Sequence, residues 1–224
     1  IQMFGMNESG ETCSIFVMDE RARRIVKTAV KLAERDGFSA VRLRDVAAQA
    51  GVALGTVYRR FPNKESILVA ALALEYKRLQ KALSATMPMS NTAFERVSAF
   101  FTIATRGLLA KPHLARALLR SVASADPDIT PRVAGFHTMI NRFISAAVRG
   151  EPGDPLAEID LETPVATHAP LVDLDDLDAT IGFTLQQVWF ASLVGWASGM
   201  HDESMVVRYV EATAKLLLEG IDRT

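Results

Sequence analysis

A single cysteine, Cys13, leaves no internal disulfide and no thiolate metal cluster to build, so the chain needs no oxidising compartment. The four histidines, His113, His137, His168 and His201, are scattered without ligand spacing. There is no phosphate loop, no Gly-x-Ser-x-Gly elbow and no alternating Asp and Gly of a calcium loop, so a catalytic metal or triad finds no residues. Proline and glycine are sparse, 9 and 13 in 224 residues, which excludes collagen-like and linker-like chains. β-type alternation is missing as well, and an all-α fold is expected. These absences predict a cytoplasmic protein that is not an enzyme and carries no cofactor and no metal.

Charge of one sign is missing locally. The net charge is −1, yet residues 20–64 hold eleven Lys and Arg against four acids, while residues 65–224 hold fourteen against nineteen. Clustered cations on a short segment suit a polyanion, because counterion release rewards local Lys and Arg whatever the total charge. The plain alternative is a solvated charged helix. Residues 151–178 invert the pattern, with nine acids, no Lys or Arg and four prolines, and read as a long, partly disordered acidic loop, of which 151–170 is expected to be mobile and dispensable for DNA binding. Residues 1–18 are set apart as a disordered tail, open between vector-derived residues, upstream read-through and a native arm.

Helical spacing accounts for the rest. Ile25, Ala29, Leu32 and Ala33 mark a first helix of about four turns from Glu20 to Asp36, with Gly37 in the left-handed position at its end. Short helices follow at Leu43–Ala50 and 54–60, then a long one from about Lys64 to Leu83 after Phe61-Pro62, with Asn63 as a candidate cap. Further helices are expected at 92–109, 113–124, 130–149, 177–200 and 203–221. The run from Ala179 to Met200 carries no charge over 22 residues, but Gln186 and Gln187 sit at its centre and no Lys or Arg flanks it, so no membrane span is expected. A helix apolar on nearly every face is covered on one side by its own core and on the other by a second copy of the chain.

The segment Leu43 to Lys64, LRDVAAQAGVALGTVYRRFPNK, pairs two short helices across Ala50-Gly51-Val52 in the manner of a helix-turn-helix, whose second helix enters the major groove of DNA. Gly55 permits close backbone approach, and Thr56 and Tyr58 offer hydroxyls to phosphate or a base edge. Lys64 adds an ammonium to a positive helix terminus. Arg44 presents a fork that suits guanine O6 and N7. Val57 and Phe61 are expected inside.

Ala50, Gly51, Val52, Gly55, Thr56, Tyr58, Phe61 and Lys64 match, at the right spacing, the pattern AGV…GTxYxxFxxK of the TetR family of bacterial transcriptional regulators, which the chain closely resembles, and Leu68 stands one place beyond the Leu that follows in that pattern. The resemblance implies a DNA-binding domain at 19–66 and an effector-binding and dimerisation domain at 67–224 that includes the acidic loop at 151–176. It also implies base readout by Arg44, groove contacts by Leu54, Gly55, Thr56 and Tyr58, and backbone contacts by Arg59, Arg60 and Lys64 on double-stranded operator DNA, while at Arg42 a charge-only phosphate contact is expected in place of the family's hydroxyl. The chain departs from the family at Arg42, where Thr or Ser often caps the second helix, and at Leu54, where a polar residue is commoner.

For the second domain the resemblance implies an apolar effector cavity and a homodimer through the last two helices. Phe94, Phe101, Leu108, Met139, Phe143, Trp189 and Phe190 supply apolar surface for the cavity, with Thr105, Gln186 and Asn141 as sparse polar groups. The dimer interface is expected at Leu193, Trp196, Gly199, Val206 and Val210. The stretches LARALLRSVASADPD and VWFASLVGWAS are similar to the actinobacterial repressors of cholesterol catabolism, which implies a small lipophilic effector of steroid or acyl-CoA type. A ligand-released repressor on a palindromic operator is the expected function. The competing readings are a helical lipid carrier that does not bind DNA and an enzyme with an unrecognised site.

Overall fold

A computed structural model describes residues 18–86, 92–124, 126–127, 129–151 and 172–221. Among them the chain forms nine α-helices and one 3-10 turn, with no strand. Helix α1, Glu20–Asp36, starts at Asp19, whose carboxylate accepts the Ala22 N–H at 2.7 Å. It buries Ile25, Val26, Ala29, Leu32 and Ala33, the stripe set by their spacing. Gly37 ends it with φ 77° and ψ −166°, a positive φ but not the left-handed helical region expected, because the chain leaves extended into the 3-10 turn Phe38–Ala40.

Helix α2 is Leu43–Ala50 and α3 is Leu54–Arg60. Between them Gly51 sits at φ 65°, ψ 41°, a left-handed position that costs a side-chain-bearing residue more than glycine. The long α4, Lys64–Thr86, is capped by Asn63, which accepts the Ser66 N–H at 2.8 Å. The same Asn63 donates from Nδ2 to Asp126, 2.7 Å away at the far end of the chain's middle section. Helix α5, Ala93–Leu109, is capped by Thr92, and α6, Pro112–Val122, carries proline in its first turn, where no N–H is missed. Helices α7, Thr130–Arg149, α8, Leu177–Ala197, and α9, Glu203–Ile221, complete the described chain.

Two apolar clusters form. The first joins α1 to α3 with the start of α4 as far as Leu72, and it also takes Leu114, Ala117 and Leu118 from α6. The second gathers Phe100 and Phe101 of α5, Ile140 and Ile144 of α7, Leu185 and Leu193 of α8, and Val206 and Val210 of α9. Each fully buried Phe, Ile or Leu contributes about 1.5–3 kcal/mol of transfer free energy. Helix α6 therefore serves both cores, a role its sequence does not announce.

Helix α8 packs on α7 and α9. A Cβ at Gly182 would lie 2.7 Å from Asn141 Oδ1 and 2.8 Å from Ser145 Oγ, so glycine is what lets α8 approach α7 this closely. Trp196 is 8 % exposed, Leu193 2 %, Val210 1 % and Val206 fully buried within the chain itself. Four of the five residues expected at a dimer interface are thus core, because the largest apolar groups are taken by the nearest helices; only Gly199 is exposed. The exposed stripe of α8 is instead Gln187, Ala191, Val194 and Ser198, at helical spacing, and α9 adds Tyr209, Ala212 and Leu216.

Most of the expected acidic loop, residues 152–171, lies outside the described residues, as does the tail at 1–17. The described ends of the loop are not without a cation. Arg149 reaches Asp176 at 2.5 Å, Asp178 at 3.2 Å and Glu151 at 3.8 Å. Asp176 also caps α8, and its carboxyl is held below the usual carboxylate range first by the Ala179 N–H and then by Arg149.

Candidate nucleic-acid interface and effector cavity

The α2–α3 pair is held from beneath by Val46, Ala47, Ala50 and Val57, all buried. Burying that side fixes what remains outside. Arg42, Arg44, Gly55, Tyr58, Arg59 and Arg60 are exposed, with Leu54 and Thr56 half-buried at the edge of the same surface. Tyr58 stands 54 % exposed, too much surface for a ring that only packs a core. Nothing lies within 4 Å of a Cβ built on Gly55, so the backbone there is open to a close approach. Arg42 occupies the N-cap of α2 and provides no side-chain hydrogen bond to it, as its lack of a hydroxyl implies.

The cations are not equivalent. Arg42, Arg44 and Arg59 make no ion pair among the described residues, which leaves three guanidinium groups for a polyanion. Arg60 instead pairs with Asp19 at 2.5 Å and ties the end of α3 to the cap of α1. Lys64 sits 3.9 Å over the Phe38 ring, and Arg120 of α6 lies 4.4 Å from the same ring. Neither the Asp19–Arg60 pair nor Arg120 was expected, since pairs far apart in sequence leave no periodic signature.

A cavity of about 350 Å³ lies among α4, α5, α6, α7 and α8. Its size falls in the range of small-molecule sites. Of the residues expected there, Leu108, Trp189 and Phe190 line it. Phe101 is packed behind, with its ring 5.7 Å from that of Trp189. Met139 and Phe143 are buried in the second core, and Phe94 packs partly exposed against it. Thr105 and Gln186 are buried behind the wall and act on lining residues: Trp189 Nε1–H donates to Thr105 Oγ1 at 2.9 Å, and Gln186 Nε2 meets His137 Nδ1 at 2.8 Å. Asn141 faces the α7–α8 seam and a separate polar cleft.

The sequence reading missed the contribution of α4, which brings Leu72, Tyr76 and Leu79, and that of Phe136 and His137 on α7. Burial holds the His137 pKa below the ordinary histidine value, so the ring is neutral at pH 7. Charge enters the lining through Glu75 and Arg78, paired with each other, and Lys111, paired with Glu34 of α1.

Among the described residues no helix is long and apolar enough to cross a membrane. A helix-turn-helix with three unpaired arginines, carried on an all-helical chain with an apolar cavity, is the architecture of a one-component DNA-binding regulator. Residues 25–71 match the family of bacterial regulatory proteins, tetR family. The chain is 29 % identical over 200 residues to the HTH-type transcriptional repressor KstR of Rhodococcus jostii (strain RHA1), covering 89 % of this chain and 83 % of that protein. Its fold is similar to a TetR transcriptional regulator from Rhodococcus sp. RHA1, with a TM-score of 0.68, 24 % identity and coverage of 90 % and 96 % of the two chains. It is also similar to Thermus thermophilus FadR, a TetR-family repressor solved with lauroyl-CoA, with a TM-score of 0.59, 21 % identity and coverage of 89 % and 94 %.

Proposed function

We propose that this regulator is a repressor that binds a near-palindromic operator as a homodimer and is released by a lipophilic effector of steroid or acyl-CoA type. The DNA-binding unit is 19–66 and the effector unit 67–224, with α6 shared between them. Arg44 reads a base edge, and Leu54, Gly55, Thr56 and Tyr58 meet the groove. Arg42, Arg59 and Lys64 hold the backbone; Arg60, committed to Asp19, contributes there second. Leu54 offers a thymine methyl contact or shape readout, since it has no hydrogen-bonding group.

The observation that carries the reading is the position of Leu118. It lines the cavity and packs in the core of the DNA-binding unit, so an occupant of the cavity pushes on the support of the recognition helix. Lys111 does the same in polar terms, lining the cavity and holding Glu34. The lauroyl-CoA of the FadR structure supports an acyl-CoA class, and the likeness to KstR supports repression.

The test separates the two kinds of contact. Arg44→Ala is expected to lose about 1–3 kcal/mol at its cognate base only, whereas Lys64→Ala weakens all duplexes alike and lowers the salt dependence by about one phosphate contact per half-site. Fluorescence anisotropy across a salt series, with cognate and single-base-changed duplexes, measures both. Equal, sequence-independent losses would remove Arg44 from base readout.

A further inference from the structure

The cavity wall is apolar apart from a few groups, and most of those are already engaged. Trp189 donates its N–H to Thr105, Glu75 and Arg78 hold each other, and Lys111 holds Glu34. His137 is different. Its Nδ1 lies 2.8 Å from Gln186 Nε2, and its Nε2 meets no hydrogen-bonding partner among the described residues. The amide of Gln186 has only donors on that nitrogen, so Nδ1 accepts, and the proton of the neutral ring sits on Nε2. Reversing the amide would bury an NH₂ with two donors and no acceptor, which is worse than the one unpartnered carbonyl, Gln186 Oε1, that the present arrangement leaves. The rings of Phe136 and Phe190 stand edge-on to the imidazole at 6.3 and 5.7 Å and fix its orientation. Both rings line the cavity with it.

We infer that the His137 Nε2–H is a recognition donor for a carbonyl oxygen in a wall that also carries the Tyr76 hydroxyl, so that the site takes a ketone- or ester-bearing apolar molecule in preference to a hydrocarbon of the same shape. This rests on the proposed effector role of the cavity and names the chemistry that role selects. A donor with no partner in an apolar wall is costly to cover with hydrocarbon and is satisfied by an acceptor, whereas a hydroxyl-free alkane leaves it orphaned. A second cation or a carboxylate is not invited, because the ring itself is neutral.

Two measurements test this. In the wild-type protein at pH 7, long-range nitrogen-15 NMR of the histidine rings is expected to report His137 as the neutral Nε2–H tautomer; a protonated ring or the Nδ1–H tautomer would overturn the assignment. For binding, the probes are androstanone and its parent hydrocarbon androstane, followed by tryptophan fluorescence. The ketone is expected to bind roughly fivefold to tenfold tighter, the worth of one net hydrogen bond. His137→Phe should cut the ketone's preference severalfold without weakening androstane, and His137→Gln, which keeps an N–H, should retain more of it than His137→Phe. Equal binding of the two probes by wild-type protein overturns this inference and leaves an apolar effector site standing; failure of both probes to bind overturns the effector site with it.

Discussion

A chain carrying Val194→Arg and Leu216→Glu is expected to sediment as a monomer and to lose at least about a hundredfold in operator affinity, the lower end of what linking two half-site contacts supplies. Val194 is 40 % exposed and Leu216 77 %, and they lie on the outward stripes of α8 and α9 with Ala191, Ala212 and Tyr209. Apolar stripes of this kind on neighbouring helices, rimmed by polar residues, are what a self-complementary interface uses. Small residues on α8, Ala191 and Ser198, let a partner helix approach closely. Substituting exposed positions leaves the fold intact, typically within about 0.5 kcal/mol, so the thermal midpoint serves as the control. Sedimentation velocity at micromolar concentration reads the outcome. A double variant that remains dimeric with full operator affinity would place the interface elsewhere.

The second large effect is linkage between cavity and groove. Saturating effector is expected to weaken operator binding by about 5–150-fold, and operator DNA must then weaken effector binding by the same factor. The route is α6 as well as α4. Leu118 belongs to the N-terminal core while lining the cavity, Lys111 reaches Glu34, Arg120 shares the Phe38 ring with Lys64, and Asn63 at the head of α4 holds Asp126 beyond α6. Removing the polar links by Glu34→Ala with Arg120→Ala, neither of which lines the cavity, should shrink the coupling severalfold while leaving effector affinity in the absence of DNA near its original value. Titrating steroid acids and acyl-CoA esters against an operator complex, then titrating the same compounds without DNA, measures both halves of the cycle. An effector that binds equally well with and without DNA would defeat the mechanism, since a ligand without preference shifts no equilibrium.

The sequence was informative where one helix decides the outcome. Helix starts and stops at Glu20, Asp36, Ala50, Leu54, Arg60, Lys64, Thr130 and Arg149 follow from caps, glycines and prolines read locally. The helix-turn-helix surface follows too, because its buried and exposed positions alternate within two short elements. What failed was partner choice. Helix α8 is apolar on every side, so its sequence says that two faces are covered but not which face meets the chain's own core. Large residues such as Trp196 and Val206 were expected outside and lie inside, and the outward stripe is made of smaller or isolated groups. The cavity shows the same limit: Phe101, Met139 and Phe143 are apolar enough to line it, yet three-dimensional packing turns them into the core, and α4 supplies lining in their place. His137 and Arg120 carry no local pattern at all, since their roles come from partners 49 and 82 residues away.

Selection of bound duplexes from a random pool tests the central claim most directly. A dimeric helix-turn-helix regulator predicts enrichment of one inverted repeat whose half-site centres lie about 34–36 Å apart, one turn of the double helix, so that both copies of α3 meet successive major grooves. Recovery of no preferred sequence, or of a single half-site with no second copy, would contradict it.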